Sequence, residues 1–331
     1  MESIEQLHQM AIEAQEEGRL GKAIGYAKRA LQLDTSNPLS WQLLGNLQFE
    51  AGAAEAAVKS YASSLRLDPQ SDWTYTGLGR AYFELQRFDD AEKAFRRAIR
   101  LSPNSPENHI QLGVVLSSLH RNDEAIESYR RALKLQRVAP EYPFEEAYYN
   151  LGIEYKLKDK MAQAGRMFRR AIEFDETFAE AHRELGWVRF AERDSAAARR
   201  SLERAMELQP EDFWTHLYTA IEAWNRFDET AAEAAYRSAC ELAPHDPLPY
   251  TCLGEFLMET DRIDEADAAF REAIEIDPSD PDSAFHYGEF LAEIEAHEQA
   301  RPWLERALDL EPRHIEAREL LERIDEESDR D

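Results

Sequence analysis

Apolar residues recur along this chain at three- and four-residue spacing in paired stretches, each pair followed by a turn. In residues 72–105 the first stretch carries Tyr75, Leu78 and Tyr82, the second carries Ala91, Phe95 and Ala98, and Pro103 follows. That period puts the apolar side chains of each stretch on one face of a helix. The pattern predicts helix A, a turn and helix B. Proline then ends helix B, because it cannot continue the helical hydrogen bonding.

The same pattern repeats along the chain. Small-residue pairs fall at Leu44-Gly45, Leu78-Gly79, Leu112-Gly113, Leu151-Gly152, Leu185-Gly186, Leu253-Gly254 and Tyr287-Gly288, spaced by 34, 34, 39, 34, 68 and 34 residues. The gap of 68 is two periods, and Thr219-Ala220 stands at its middle. Alanines at 57, 91, 125, 164, 198, 232, 266 and 300 run in phase. Nine units tile the sequence: 4–37, 38–71, 72–105, 106–139, 145–178, 179–212, 213–246, 247–280 and 281–314. This pattern resembles the tetratricopeptide repeat family over nearly the whole chain. The expected fold is all-α, a right-handed superhelical solenoid of helix-turn-helix repeats. Its predicted parts are repeats one to four (1–139), an inserted loop (140–144), repeats five to nine (145–314), and a capping helix with an acidic tail (315–331). A single pair cannot bury its own apolar face, so stability must come from stacking. Residues 315–324 carry one apolar stripe and read as the cap, with a frayed tail from Asp325.

Charge narrows the function. The 66 acidic and 39 basic residues give a formal charge of −27, which repels phosphate backbones and anionic membrane surfaces. No apolar run is long enough to span a bilayer, and the N-terminus lacks a signal-peptide pattern. The expectation is a cytoplasmic protein with neither nucleic-acid nor membrane partners. Cys240 and Cys252 are too few for a disulfide framework and read as reduced thiols.

Catalytic and cofactor motifs are not found. There is no GxxxxGK[ST], HExxH or GxSxG, and Gly77-Leu78-Gly79 lacks the preceding strand of a dinucleotide loop. His109, His182 and His216 occupy the fourth position of their repeats, where Trp41, Tyr75, Tyr148 and Tyr250 also stand. They read as packing histidines, so no metal, no cofactor and no enzyme activity is expected.

The resemblance implies that helix A lines a concave groove, with positions 2, 5, 6, 9, 12 and 13 of each repeat facing it. The family's carboxylate clamp fits poorly: Asn46 matches one position, but Gln42 stands for its lysine and Gly77 for a second polar partner. Aromatic residues dominate the implied groove instead. Leu39, Leu43, Phe49, Trp73 and Phe83 lie early, and Tyr149, Ile153, Trp187, Phe190, Trp214, Tyr218, Ile221 and Trp224 follow in repeats five to seven. Curvature is expected to bury about half of these.

Net charge is −2 over residues 1–204 and −25 over residues 205–331. Glu255, Glu259, Asp282, Glu289 and Glu293 face the implied groove beyond the aromatic stretch, with Lys156 and Arg183 on its other side. The expected function is a scaffold that binds a partner peptide or helix with apolar residues and a basic flank. Tyr149, Trp187, Phe190, Trp214, Tyr218 and Trp224 would serve as anchors, and the five carboxylates as charge complement. Two alternatives stay open: a non-catalytic subunit of a larger enzyme or immune-type complex, held by its convex or edge surfaces, and an acidic nucleic-acid mimic. Pairing of two copies is also open. The insertion Pro140–Phe144 reads as a passive spacer, or as a loop presenting Tyr142 and Phe144.

Overall fold

The computed structural model describes residues 2–328, with side chains as far as Asp325. These residues form nineteen α-helices and no strand. They fall into two compact units, Met1–Glu176 and Thr177–Asp331. The division lies well beyond the inserted loop.

The first unit holds five helix pairs: α1 (Ile4–Glu16) and α2 (Leu20–Leu33), α3 (Pro38–Glu50) and α4 (Ala54–Leu67), α5 (Asp72–Glu84) and α6 (Phe88–Leu101), α7 (Pro106–Ser118) and α8 (Asn122–Lys134), and α9 (Glu145–Leu157) and α10 (Met161–Phe174). The second unit holds four pairs and a final helix: α11 (Ala179–Ala191) and α12 (Ser195–Leu208), α13 (Phe213–Asn225) and α14 (Glu229–Leu242), α15 (Pro247–Glu259) and α16 (Ile263–Ile276), α17 (Pro281–Glu293) and α18 (His297–Leu310), and α19 (Ile315–Ser328).

Local chemistry sets the helix starts. Asn37, Ser71, Ser105, Asp212 and Asp280 each accept a hydrogen bond from the backbone N–H three residues on, which satisfies an orphan donor. Pro38, Pro106, Pro247 and Pro281 occupy first helical positions, where the missing N–H costs nothing.

The packing within each pair turns on one small residue. A Cβ added at Gly79 would lie 2.7 Å from the Phe95 ring, and one at Gly152 would lie 2.5 Å from the Phe168 ring. Phe95 and Phe168 are fully buried. Each buried ring contributes roughly 1.5–3 kcal/mol. Gly77 has the same role between neighbours: its added Cβ would lie 2.7 Å from Tyr61 of the preceding repeat.

The insertion is absorbed by the core of the first unit. Phe144 is fully buried, 5.1 Å from the Tyr142 ring and 6.2 Å from Phe174. It is therefore not presented to a partner. In the second unit, Ala317, Leu320 and Ile324 of α19 bury against the last pair, which covers the end of the stack. That helix runs on to Ser328 instead of fraying from Asp325, while residues 329–331 of the expected tail lie outside the described residues.

Candidate functional site: an aromatic ladder in the second unit

Trp187 and Phe190 are three residues apart on α11, and Trp214 and Tyr218 are four apart on α13. Those spacings put each pair on one helix face. The two faces meet. The Phe190 ring lies 5.5 Å from Trp187, Trp187 stacks 4.8 Å from Tyr218, and Tyr218 meets Trp214 edge-on at 6.2 Å. Phe213 extends the series, 5.2 Å from Trp214. Five rings thus form a continuous ladder. Trp214 is exposed at 38%, and the other four are half-buried. Phe213 was not among the residues singled out from sequence; its place at the first position of helix A gave no groove signal.

The remaining expected anchors lie elsewhere. Trp224 meets Phe256 edge-on at 5.2 Å, and Phe256 in turn lies 5.3 Å from Tyr236, so Trp224 packs on the core of the unit and does not join the ladder. Tyr149 belongs to the first unit, 5.9 Å from the Phe168 ring.

Four family models of the tetratricopeptide repeat match the chain, over residues 8–72, 73–105, 106–177 and 257–324. The chain belongs to the tetratricopeptide repeat (TPR) family. No curated protein matches it in sequence. Among solved structures, Pseudomonas aeruginosa pilF aligns with a TM-score of 0.60 at 20% identity, over 68% of this chain and 98% of its own. Yeast Tom70 aligns at 0.58 and 15%, over 98% and 88%. The Cut9–Hcn1 assembly of the APC/C aligns at 0.57 and 12%, over 97% and 96%. At these identities the likeness is one of fold, an all-α TPR solenoid. TPR proteins generally mediate protein–protein interactions.

The acidic side chains of this TPR array divide into paired and unpaired groups. His286 Nδ1 lies 2.9 Å from Glu255 and 3.5 Å from Glu289, within ion-pair distance but not aligned for a hydrogen bond. Burial works against its charge, but the two carboxylates outweigh burial and hold its pKa up at about 10. At neutral pH the imidazolium therefore offsets part of the charge of Glu255 and Glu289. Asp282 is exposed, 3.8 Å from His314 Nε2. Glu259 and Glu293 are exposed and make no ion pair among the described residues. On the other flank, Arg183 is largely buried and bound to Glu184 and to Asp212, the latter at 2.8 Å. It is a structural base and not a free one; Lys156 lies in the first unit and is itself engaged.

The first unit has a recess of its own, about 410 Å³, whose lining includes Gln42, Asn46, Phe49, Trp73, Gly77 and Arg80. These stand at groove positions of repeats two and three. Trp73 is exposed, Tyr61 donates a hydrogen bond to Asn46 Oδ1 (2.8 Å), and Arg80 lies over the Phe49 ring at 5.1 Å. Sequence reading named its apolar residues but not this combination with Arg80.

The histidines have structural work. His109 Nε2 lies 3.1 Å from the Pro103 carbonyl, and His216 Nε2 lies 2.9 Å from that of Pro210. Trp41 Nε1 donates to Thr35 O at 2.9 Å from the same repeat position. In these three repeats a ring N–H thus satisfies a carbonyl six residues back. Among the described residues, no group of three or more His, Cys, Asp or Glu could hold a metal ion, and no helix is long and apolar enough to cross a membrane. Cys240 and Cys252 are free thiols, and burial pushes both up to about 12, so they stay protonated.

Proposed function

We propose that this TPR array is a scaffold that binds a partner peptide or helix through the aromatic ladder of its second unit. One observation carries the reading: five rings form a continuous chain of stacked, tilted and edge-on contacts that leaves Trp214 partly in water. Aromatic area in water is unfavourable until covered, and apolar side chains of a partner cover it. Trp187, Phe190, Trp214 and Tyr218 are the anchors, with Phe213 behind them; each well-covered anchor contributes about 2 kcal/mol or more. Trp224 and Tyr149 support neighbouring packing. Glu259, Glu293 and Asp282 favour a Lys/Arg-rich flank on the ligand, and Glu255 and Glu289 add less because His286 stands between them. The near-balanced first unit, with 23 bases and 26 acids, speaks against mimicry of nucleic acid.

Selection of the full chain against a random peptide display library tests this. The expected winners combine bulky apolar residues with a basic flank. Trp187→Ala and Trp214→Ala should each weaken the selected peptides at least about tenfold. The circular dichroism melt should be nearly unchanged for the exposed Trp214 and lowered but still cooperative for Trp187, which packs between Phe190 and Tyr218. Selected peptides that bind both variants as tightly as the wild type would move the site off the ladder.

A further inference from the structure

The turn between helices A and B has one backbone geometry throughout. Its second residue is left-handed in every repeat: Gly18 and Gly52 in the first two, then Gln86, His120, Asp159, Arg193, Phe227, Asp261 and Glu295. Glycine adopts that conformation without strain, and short polar residues tolerate it. Phe227, at φ 62°, is the one hydrophobic side chain in this column, and it is 90% exposed. The side chain is thus unfavourable twice, in backbone and in hydration. Nothing in the packing of its own repeat requires it.

Between this turn and the preceding one, on the same edge, lies a recess of about 440 Å³ lined by Phe190, Ala191, Arg193 and Ser195 of the preceding repeat and by Asn225 of Phe227's own. Arg193 is the repeat-equivalent of Phe227, so knob and hole sit at adjacent turns of one edge. The charges on that edge are also paired off unevenly. Arg189 is held by Glu192 at 2.8 Å, and Arg226 by Glu222 at 2.9 Å. Arg193 and Glu229 are exposed and make no ion pair among the described residues.

We infer that this edge pairs with a second copy of the chain, the Phe227 ring of each copy seating in the other's recess. A two-fold axis between the two turns does this with one operation, as a self-complementary interface requires. The same operation sets Arg193 of one copy against Glu229 of the other, twice. The charge match selects a second copy over an unrelated protein: the free base lies beside the recess and the free acid beside the ring, in the order a two-fold axis needs. The recess shares Phe190 with the ladder but none of Trp187, Trp214 or Tyr218, so Phe227 and Glu229, which lie outside both, report on the pairing alone.

Sedimentation velocity of the full chain from about 1 to about 100 µM tests it. The wild type should show a concentration-dependent dimer. Phe227→Ser and Phe227→Gly should each weaken it at least about tenfold, with the melt unchanged or, for glycine, raised. Arg193→Glu and Glu229→Arg should each weaken the dimer, and the double variant should regain most of the loss. A wild type that stays monomeric over this range would overturn the inference. So would a dimer indifferent to Phe227→Ser, or a charge swap that recovers nothing.

Discussion

His286 illustrates how one residue acquires a role from its neighbours on adjacent repeats. It stands at a position taken elsewhere by Gln, Leu, Gly, Asn, Glu, Tyr and Cys, and its own repeat supplies only Glu289, one turn on at 3.5 Å. Only stacking brings Glu255 of the preceding repeat to 2.9 Å. Its folded pKa of about 10 lies above the ordinary value of 6.5. A group raised on folding contributes stability that is complete below its unfolded pKa and is lost as pH rises through the folded one. His286→Gln should therefore cost on the order of 2 kcal/mol at pH 6, discounted for partial exposure. The deficit should shrink steadily between pH 6.5 and about pH 10. Urea denaturation of both proteins across that range measures it. A deficit independent of pH would mean that the ring acts through packing and not through charge.

At the scale of the element, spacing alone carried most of the fold. Residues such as Leu78, Gly79, Ala91 and Phe95 recur because the same contact recurs: a small residue on helix A admits a large ring from helix B. That contact is local in sequence, so periodicity exposes it. Gly152→Ala tests it, since the new Cβ would lie 2.5 Å from the Phe168 ring and must displace it. The expected cost is about 1–3 kcal/mol, read from chemical denaturation, and Gly152→Trp should abolish the cooperative transition. Trp214→Ala should leave it nearly untouched, because Trp214 is partly exposed. Equal losses at the two sites would contradict this division of labour. What spacing could not supply was the destination of each groove aromatic. Trp187 and Trp224 are the same residue type on the same implied face, yet one stacks on Tyr218 and the other meets Phe256 edge-on. That choice depends on the side chains of the next repeats, Tyr218 and Phe256, and no single-repeat pattern encodes it. Arg183 likewise looks like a free base until Asp212, the N-cap of α13 in the next repeat, is brought to 2.8 Å. Phe227 was legible in principle, as the one hydrophobic side chain in a column of Gly, Gln, His, Asp, Arg and Glu, but the column becomes visible only once its left-handed backbone is known.

For the whole molecule, the relevant quantity is the surplus of like charge in each unit. The first unit holds 23 bases and 26 acids, a net of −3, and the second holds 16 and 40, a net of −24. Two effects of salt oppose each other. Salt weakens exposed ion pairs, such as the run in which Glu92 bridges Arg96 at 2.7 Å and Arg121 at 2.8 Å, each worth about 0–1 kcal/mol. It also screens self-repulsion, over a Debye length that falls from about 10 Å at 0.1 M to about 3 Å at 1 M. In the first unit, near charge balance, little repulsion remains to be screened, and the loss from ion pairs decides the sign. In the second unit most acids have no base to pair with, so relief of repulsion dominates. Raising NaCl from about 0.05 to about 0.5 M should therefore increase hydrogen-exchange protection in residues 177–331 and leave residues 1–176 level or slightly less protected. Mass-spectrometric exchange on the intact chain reads both units in one experiment. A uniform response across the two would show that the acidic surplus is already neutralised locally, as it is around His286, and would remove the electrostatic preference for a basic ligand along with it.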